Sequence, residues 1–219
     1  MSGLASLRRV FDRAALPPAN AHRWVVVDVE TSGLDVRHDR LLAIAAVGLR
    51  IDGDRAPRIE LADSFEAVLR QPPAPADKEN ILLHGIGVGE QAAGDAPADV
   101  LNAFEHWLGN APLIAFHAGF DQAVIGRAMK ATLGRSLTTP WLDLEPVADA
   151  LHPEVGGCTL DDWLSHFGID CAVRHQAAAD TLATAELLLR LWPAAIRQRC
   201  RTFEDLQGLA RQRRWLARR

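Results

Sequence analysis

The sequence predicts a single α/β domain, and three observations predict it. Its 219 residues suffice for one full core with short extensions. A β-branched run, Trp24 to Val29, is followed by two more strand-like runs joined by short connections. Beyond Pro97, apolar residues recur at helical spacing and the remaining strand-like segments alternate with helices. The composition, 48% hydrophobic and 24% charged, is that of an ordinary globular chain. A net charge of -4 and pI ≈ 6.1 give none of the bulk basicity that marks many nucleic-acid binders, although they leave room for a local basic surface. The longest apolar run, Leu41 to Leu49, is far too short to span a membrane. Charged residues near the N-terminus stand where a signal peptide needs an apolar core, which predicts a cytoplasmic protein. Cys158, Cys171 and Cys200 form no Cys-x-x-Cys pair, so they predict buried reduced thiols, neither a disulfide framework nor a zinc site.

Taken in order, Leu4, Leu7, Val10, Phe11 and Ala15 predict a short amphipathic helix over 4–15, ahead of the domain. The first strand, Trp24 to Val29, ends in the turn-forming Thr31-Ser32-Gly33. A second strand follows over 39–51, then the turn Asp52-Gly53-Asp54 and a third strand over about 58–65. Residues 71–78 read as a Pro-rich loop, and His84 to Gly89 as a flexible, turn-prone stretch. Val100, Leu101, Phe104 and Leu108 put a helix over 97–108, with Asp95 or Asp99 as its cap. Pro112 to Phe116 is a short buried strand, and His117 to Asp121 opens a helix through Met129. Trp141-Leu142 reads as a strand, with Asp143 ending it or capping the next helix, near Glu145; Thr159 to Asp162 resembles a capping box. A long helix over 176–191 draws its apolar surface from Leu182, Leu187, Leu188, Leu191 and Trp192. Residues 196–219 carry eight arginines among Phe203, Leu206, Leu209 and Trp215. They read either as a basic amphipathic helix for a nucleic-acid backbone or partner, or as a solvated terminal helix. There is no internal repeat, Walker loop or Rossmann fingerprint.

The first strand carries the chemistry. Side chains two apart on a strand share a face, so Asp28 and Glu30 stand side by side, opposite Val27 and Val29. Carboxylates this close repel, so either one holds a proton at a raised pKa or a cation lies between them. With no Lys or Arg in the strand, a divalent metal is the economical partner; the plainer reading is an edge strand with solvated acids. Asp121 falls in a first helical turn, where the dipole favours a carboxylate with or without a metal. His175 and Asp180 are five positions apart, roughly 140° around a helix. They meet at one site only if His175 lies on the incoming loop, folded back over the helix start; otherwise they are a helix-start residue and a solvated charge.

Together, Asp28-x-Glu30, Phe120-Asp121 and His175-x4-Asp180, in this order and on these elements, resemble the DEDDh (DnaQ-like) 3′-to-5′ exonucleases, the family of the polymerase III epsilon proofreading subunit and its stand-alone relatives. The resemblance runs from about Trp24 to Leu191, supported by the Asp28 to Asp35 stretch, Leu83-His-Gly-Ile86 and Thr159 to Ile169. It implies a ribonuclease H-like fold with a five-stranded mixed sheet flanked by helices. The implied division is an N-terminal helical extension over 1–23, an exonuclease domain over 24–195 and a basic C-terminal helix over 196–219. It also implies that Asp28, Glu30, Asp121 and Asp180 hold two divalent cations, Mg2+ with Mn2+ able to substitute, and that His175 is the general base. Thr31, Gly33, Leu34, His84 and Phe120 are implied to receive the terminal nucleotide. The implied reaction is hydrolysis at single-stranded 3′ ends, with DNA favoured over RNA, releasing nucleoside 5′-monophosphates, with a polymerase or repair partner possible. The alternative is a catalytically silent nuclease-like binding or scaffold module. The chain departs from the family's His-Asn-Ala-x-Phe-Asp at Phe116-His117, and no sliding-clamp motif follows Leu191.

Overall fold

The run Trp-Val-Val-Val becomes the central strand because both faces of it are covered. The computed structural model describes residues 22–53, 55–72, 78–157 and 159–217. Strand β1 (Arg23–Thr31) pairs antiparallel with β2 (Leu41–Arg50) and parallel with β4 (Leu113–Ala115). Strand β3 (Arg58–Val68) lies outside β2, and β5 (Trp141–Asp143) pairs in parallel with β4, giving the mixed five-stranded order β3-β2-β1-β4-β5. Val25, Val27 and Val29 pack with Phe65, Phe104 and Ile125 under α3 (Pro97–Leu108) and α4 (Gly119–Leu133). Trp24 and Val26 pack on the other face with Leu187, Leu188 and Leu191 of α7 (Ala177–Arg197). Each buried valine contributes roughly 1.5–3 kcal/mol relative to an exposed one, so two-sided burial selects the unbroken apolar run.

The α7 face also holds α5 (Leu144–Leu151), α6 (Leu160–Phe167) and α8 (Phe203–Ala217). Trp24 meets Trp192 and Phe203 edge-on at 5.8 and 5.4 Å, fastening α7 and α8 to the sheet. On the opposite face Arg23 pairs with Asp63 at 2.7 Å, donates to the Leu108 carbonyl and stacks over Trp107.

Several expectations change. The turn-prone stretch narrows to residues 85–87, which connect two short helices that the sequence does not announce, α1 (Lys78–His84) and α2 (Val88–Ala93). Neither Asp95 nor Asp99 caps α3; Ala96 stands at the N-cap with Pro97 behind it, a proline tolerated because the first-turn N–H has no helical partner. Helix α7 runs on through Pro193 to Arg197, since Trp192, Ala194 and Ala195 are all buried, whereas Leu182 is exposed and adds nothing to its apolar face. The C-terminal helix is not solvated all round: Phe203, Leu206 and Ala210 enter the core. Asp143 does cap α5, and Thr159 and Asp162 form the capping box of α6. The expected helix over 4–15, Cys158, residues 73–77 of the Pro-rich loop, Arg218 and Arg219 lie outside the described residues. Among the described residues no helix is long and apolar enough to cross a membrane.

Candidate active site

The chain leaves β1 toward β2 and β3 on one side and returns through β4 on the other. The direction therefore reverses between the parallel neighbours β1 and β4, and the carboxyl ends of strands at such a switch point are where α/β sheets bind ligands. Asp28 and Glu30 stand at that end of β1, on the face opposite Val27 and Val29. Past β4, His117 takes a left-handed conformation, φ 59°, that starts the turn into α4 and brings Asp121 into the first turn. Asparagine and histidine are both enriched in that conformation, which explains how His117 stands where the family pattern has Asn. Asp121 is buried, and the Val29 backbone of β1 favours its ionised carboxylate, partly offsetting that burial.

The third segment closes the site from α7. His175 is also left-handed, φ 61°, and its turn folds back over the helix start: its backbone N–H donates to Asp180 Oδ2 at 3.0 Å while its ring stays exposed. Loop placement thus brings His175 and Asp180 together as the five-residue spacing requires. The Ala177 N–H, at the N-terminus of α7, favours the ionised Glu30 carboxylate and partly offsets its burial.

The electrostatics link the other three acids to Asp28. Burial pushes the Asp28 carboxyl up to about 8, the Asp180 carboxylate adds to the rise, and Arg174 opposes it. Glu30 is likewise pushed up to about 8, by burial first, then by Asp28 and Asp180. Asp121 is held well above the usual carboxylate range by burial and then by Asp28. Arg174, a residue that sequence reasoning passed over, binds Asp180 with one guanidinium nitrogen and Asp161 of α6 with another. The available signal was a cation beside His175 on the same incoming turn. Cys171 Sγ also donates to Asp180, at 3.5 Å.

No three of the four acids bring oxygens within 4.8 Å of one another: among the described residues, ligating atoms of three His, Cys or acidic side chains do so only at His152, Glu154 and His166. The acids nonetheless fit hard divalent cations. They offer only oxygen donors, three of them are destabilised as anions by burial and each other, and a guanidinium already rests against the fourth.

Around the acids, Thr31 is buried and donates its hydroxyl to the Gly33 carbonyl at 2.6 Å. A Cβ on Gly33 would lie 2.5 Å from the Asp39 carboxylate, which already accepts from Ser32 Oγ, so the close approach requires glycine. Leu34 is 87% exposed, Leu82 84% exposed, and Phe120 partly buried against the core. Helix α1 is pinned to the end of β1 by Asn80, which donates to the Thr31 carbonyl at 2.9 Å. His84 is buried beneath its turn, where Nδ1 accepts from the Ile86 N–H at 3.0 Å.

An exonuclease family model (RNase T) matches residues 25–188. Among curated proteins, the chain is 32% identical over 186 residues to the DNA polymerase III PolC-type of Bacillus subtilis, covering 84% of this chain and 12% of that protein. It is also 32% identical over 189 residues to a DNA polymerase III subunit epsilon-like protein of Rhodobacter capsulatus, covering 85% of this chain and 26% of the relative. The chain thus spans about an eighth and about a quarter of these relatives' lengths. Two solved structures share the fold: E. coli Exonuclease I in complex with a dT13 oligonucleotide, with TM-score 0.66 and 20% identity over 81% of this chain and 42% of the other; and cell-death related nuclease 4, with TM-score 0.65 and 16% identity over 81% and 64%.

Proposed function

Since the chain belongs to the exonuclease family, in its DnaQ-like 3′-to-5′ group, we propose that it removes nucleotides one at a time from single-stranded 3′ ends and releases nucleoside 5′-monophosphates. The observation that carries this reading is the gathering of Glu30, Asp121 and Asp180 around Asp28, from three separate segments. Like charges gathered at a folding cost have a use in metal and phosphate chemistry and none in a passive surface. DNA is the favoured substrate and a polymerase or repair assembly the favoured setting, because the similar curated proteins carry polymerase names.

Asp28, Glu30 and Asp180 would hold two divalent cations directly, magnesium or in its place manganese, with Asp121 serving the second mainly through water. Bound there, the cations supply Lewis acidity to the phosphodiester and balance the charge it shares with four carboxylates. The chain's own residues do the rest. His175, exposed on a turn tethered through its backbone to Asp180, accepts the attacking water's proton at a ring nitrogen. Its loop lies near the α1–α2 turn, with Gln176 Nε2 at 3.8 Å from where a Cβ on Gly85 would sit, so the incoming strand end is flanked on both sides. Leu34 and Phe120 offer apolar contact to the terminal base or sugar, Thr31 and Gly33 shape the strand end beneath it, and His84 supports the turn of residues 85–87.

The silent-module alternative has one observation in its favour: Arg174 holds Asp180 in place of a metal. A 5′-labelled single-stranded oligonucleotide, as DNA and as RNA, separates the readings. A ladder shortening from the 3′ end with magnesium or manganese, abolished by chelator and by Asp28→Ala, is expected. His175→Ala should lower turnover roughly 10²–10⁴-fold with metal binding intact. Binding without shortening on either strand, with either metal, would leave the module as the account.

A further inference from the structure

A second cluster of metal-ligating side chains lies outside the proposed active site, at the far ends of α5 and α6. His152 is the C-cap of α5, Glu154 is in the turn after it, and His166 is in the last turn of α6. One ligating atom from each lies within 4.8 Å of the other two. His152 Nδ1 is already 3.0 Å from Glu154 Oε1. In a tetrahedral zinc site, with bonds of about 2.0–2.1 Å to imidazole and about 2.0–2.2 Å to carboxylate, neighbouring donors stand roughly 3.3 Å apart. The first edge of such a site is thus nearly formed. Closing the rest takes only side-chain rotation of His166 and Glu154, both exposed.

The His152 ring is set for one role. Its Nε2 is sealed from solvent without a hydrogen-bond partner, so Nδ1 is the nitrogen it presents. Phe167 packs edge-on against both imidazoles, at 5.1 Å from His152 and 4.7 Å from His166, so one aromatic ring lies beside both. Two imidazoles and one carboxylate suit zinc, nickel or copper and suit magnesium poorly, unlike the all-oxygen acid site. We propose that His152, Glu154 and His166 bind a zinc ion that clasps the C-terminal end of α5 to the last turn of α6, with water as fourth ligand. The clasp would bracket the connection that leads into α6, whose Asp161 holds Arg174 beside Asp180.

The test uses the full chain carrying Asp28→Asn and Asp180→Asn, so that metal at the acid site does not contribute. After chelation and exchange, zinc is added at micromolar concentration and counted per chain by elemental analysis, with cobalt substitution reporting coordination by visible absorption. The expected result is about one zinc per chain, a four-coordinate cobalt spectrum and a zinc-dependent rise in Tm. Adding His166→Ala or Glu154→Gln, both at exposed positions and checked by circular dichroism, should weaken zinc more than roughly tenfold and remove the rise. No retained zinc, or zinc retained unchanged in His166→Ala, would overturn the proposal. Neither result depends on nuclease activity.

Discussion

Arg174 is the residue on which the site's charge balance turns. Its guanidinium neutralises Asp180 and opposes the rise at Asp28 and Glu30, so it competes for the place of a divalent cation. Arg174→Ala should therefore tighten magnesium binding several-fold in calorimetry, while an unchanged affinity would mean that Arg174 leaves Asp180 freely. The same carboxyls govern pH response. Asp28 and Glu30 titrate near 4 in an unfolded chain and at about 8 in the folded one. The fold therefore binds more protons than the unfolded chain between those values, and metal-free stability is highest below pH 4 as far as these groups go and declines as pH rises through 8. Tm measured in chelator should fall between pH 5 and about 9, and magnesium should recover most of the loss while releasing protons on binding. Asp28 and Glu30 were legible because a strand repeats every two residues. Asp121 and Asp180 were legible as family positions on helix starts. Arg174 was not, because its pairing depends on a left-handed turn at His175 that no local pattern announces.

At the scale of elements, legibility followed burial. Strands β1 and β2, and helices α3 and α7, have enough buried apolar residues for periodicity to reveal them, to within a few residues at their ends, whereas β3 buries only Phe65 and Ala67 and is announced by the turn signal before it. Helices α1 and α2 lack such burial. α2 has no buried residue, and it is held by polar contacts: Glu90 accepts from the Gly87 N–H at 2.9 Å, and Gln91 donates to the Ile86 carbonyl at 3.0 Å. Four glycines between residues 85 and 94 masked them further. Helix α6 shows what a cap adds. The Thr159 hydroxyl accepts from the Asp162 N–H, and the Asp162 carboxylate accepts from the Thr159 N–H at 3.0 Å. Thr159→Ala should lower unfolding free energy by about 1 kcal/mol in urea titration. Because α6 carries Asp161, the same variant should also loosen Arg174; an unchanged magnesium affinity would show that the two are uncoupled.

Across the whole molecule, the sheet divides the core in two, and the face that carries Asp28 and Glu30 is the one that α8 completes. Sequence alone left residues 196–219 open between a basic arm and a solvated helix, because arginine-rich amphipathic patterns suit both. The fold puts two of these arginines to internal use: Arg213 binds Asp149 of α5 at 2.5 and 3.1 Å, and Arg214 binds Asp143 at the end of β5. Helix α8 is further tied by Gln207, which donates to the Trp141 carbonyl at 2.9 Å. Cations already paired with carboxylates of this chain displace fewer counterions from a phosphate backbone. Association with single-stranded DNA should accordingly respond weakly to ionic strength, with log K falling against log salt at a slope of about −2, as for about three neutralised phosphates. A slope several times steeper would mean that α8 gives up its internal partners when the strand arrives. With the shallow slope, little charge would hold the shortened strand after each cut, and successive cuts would fall on different molecules.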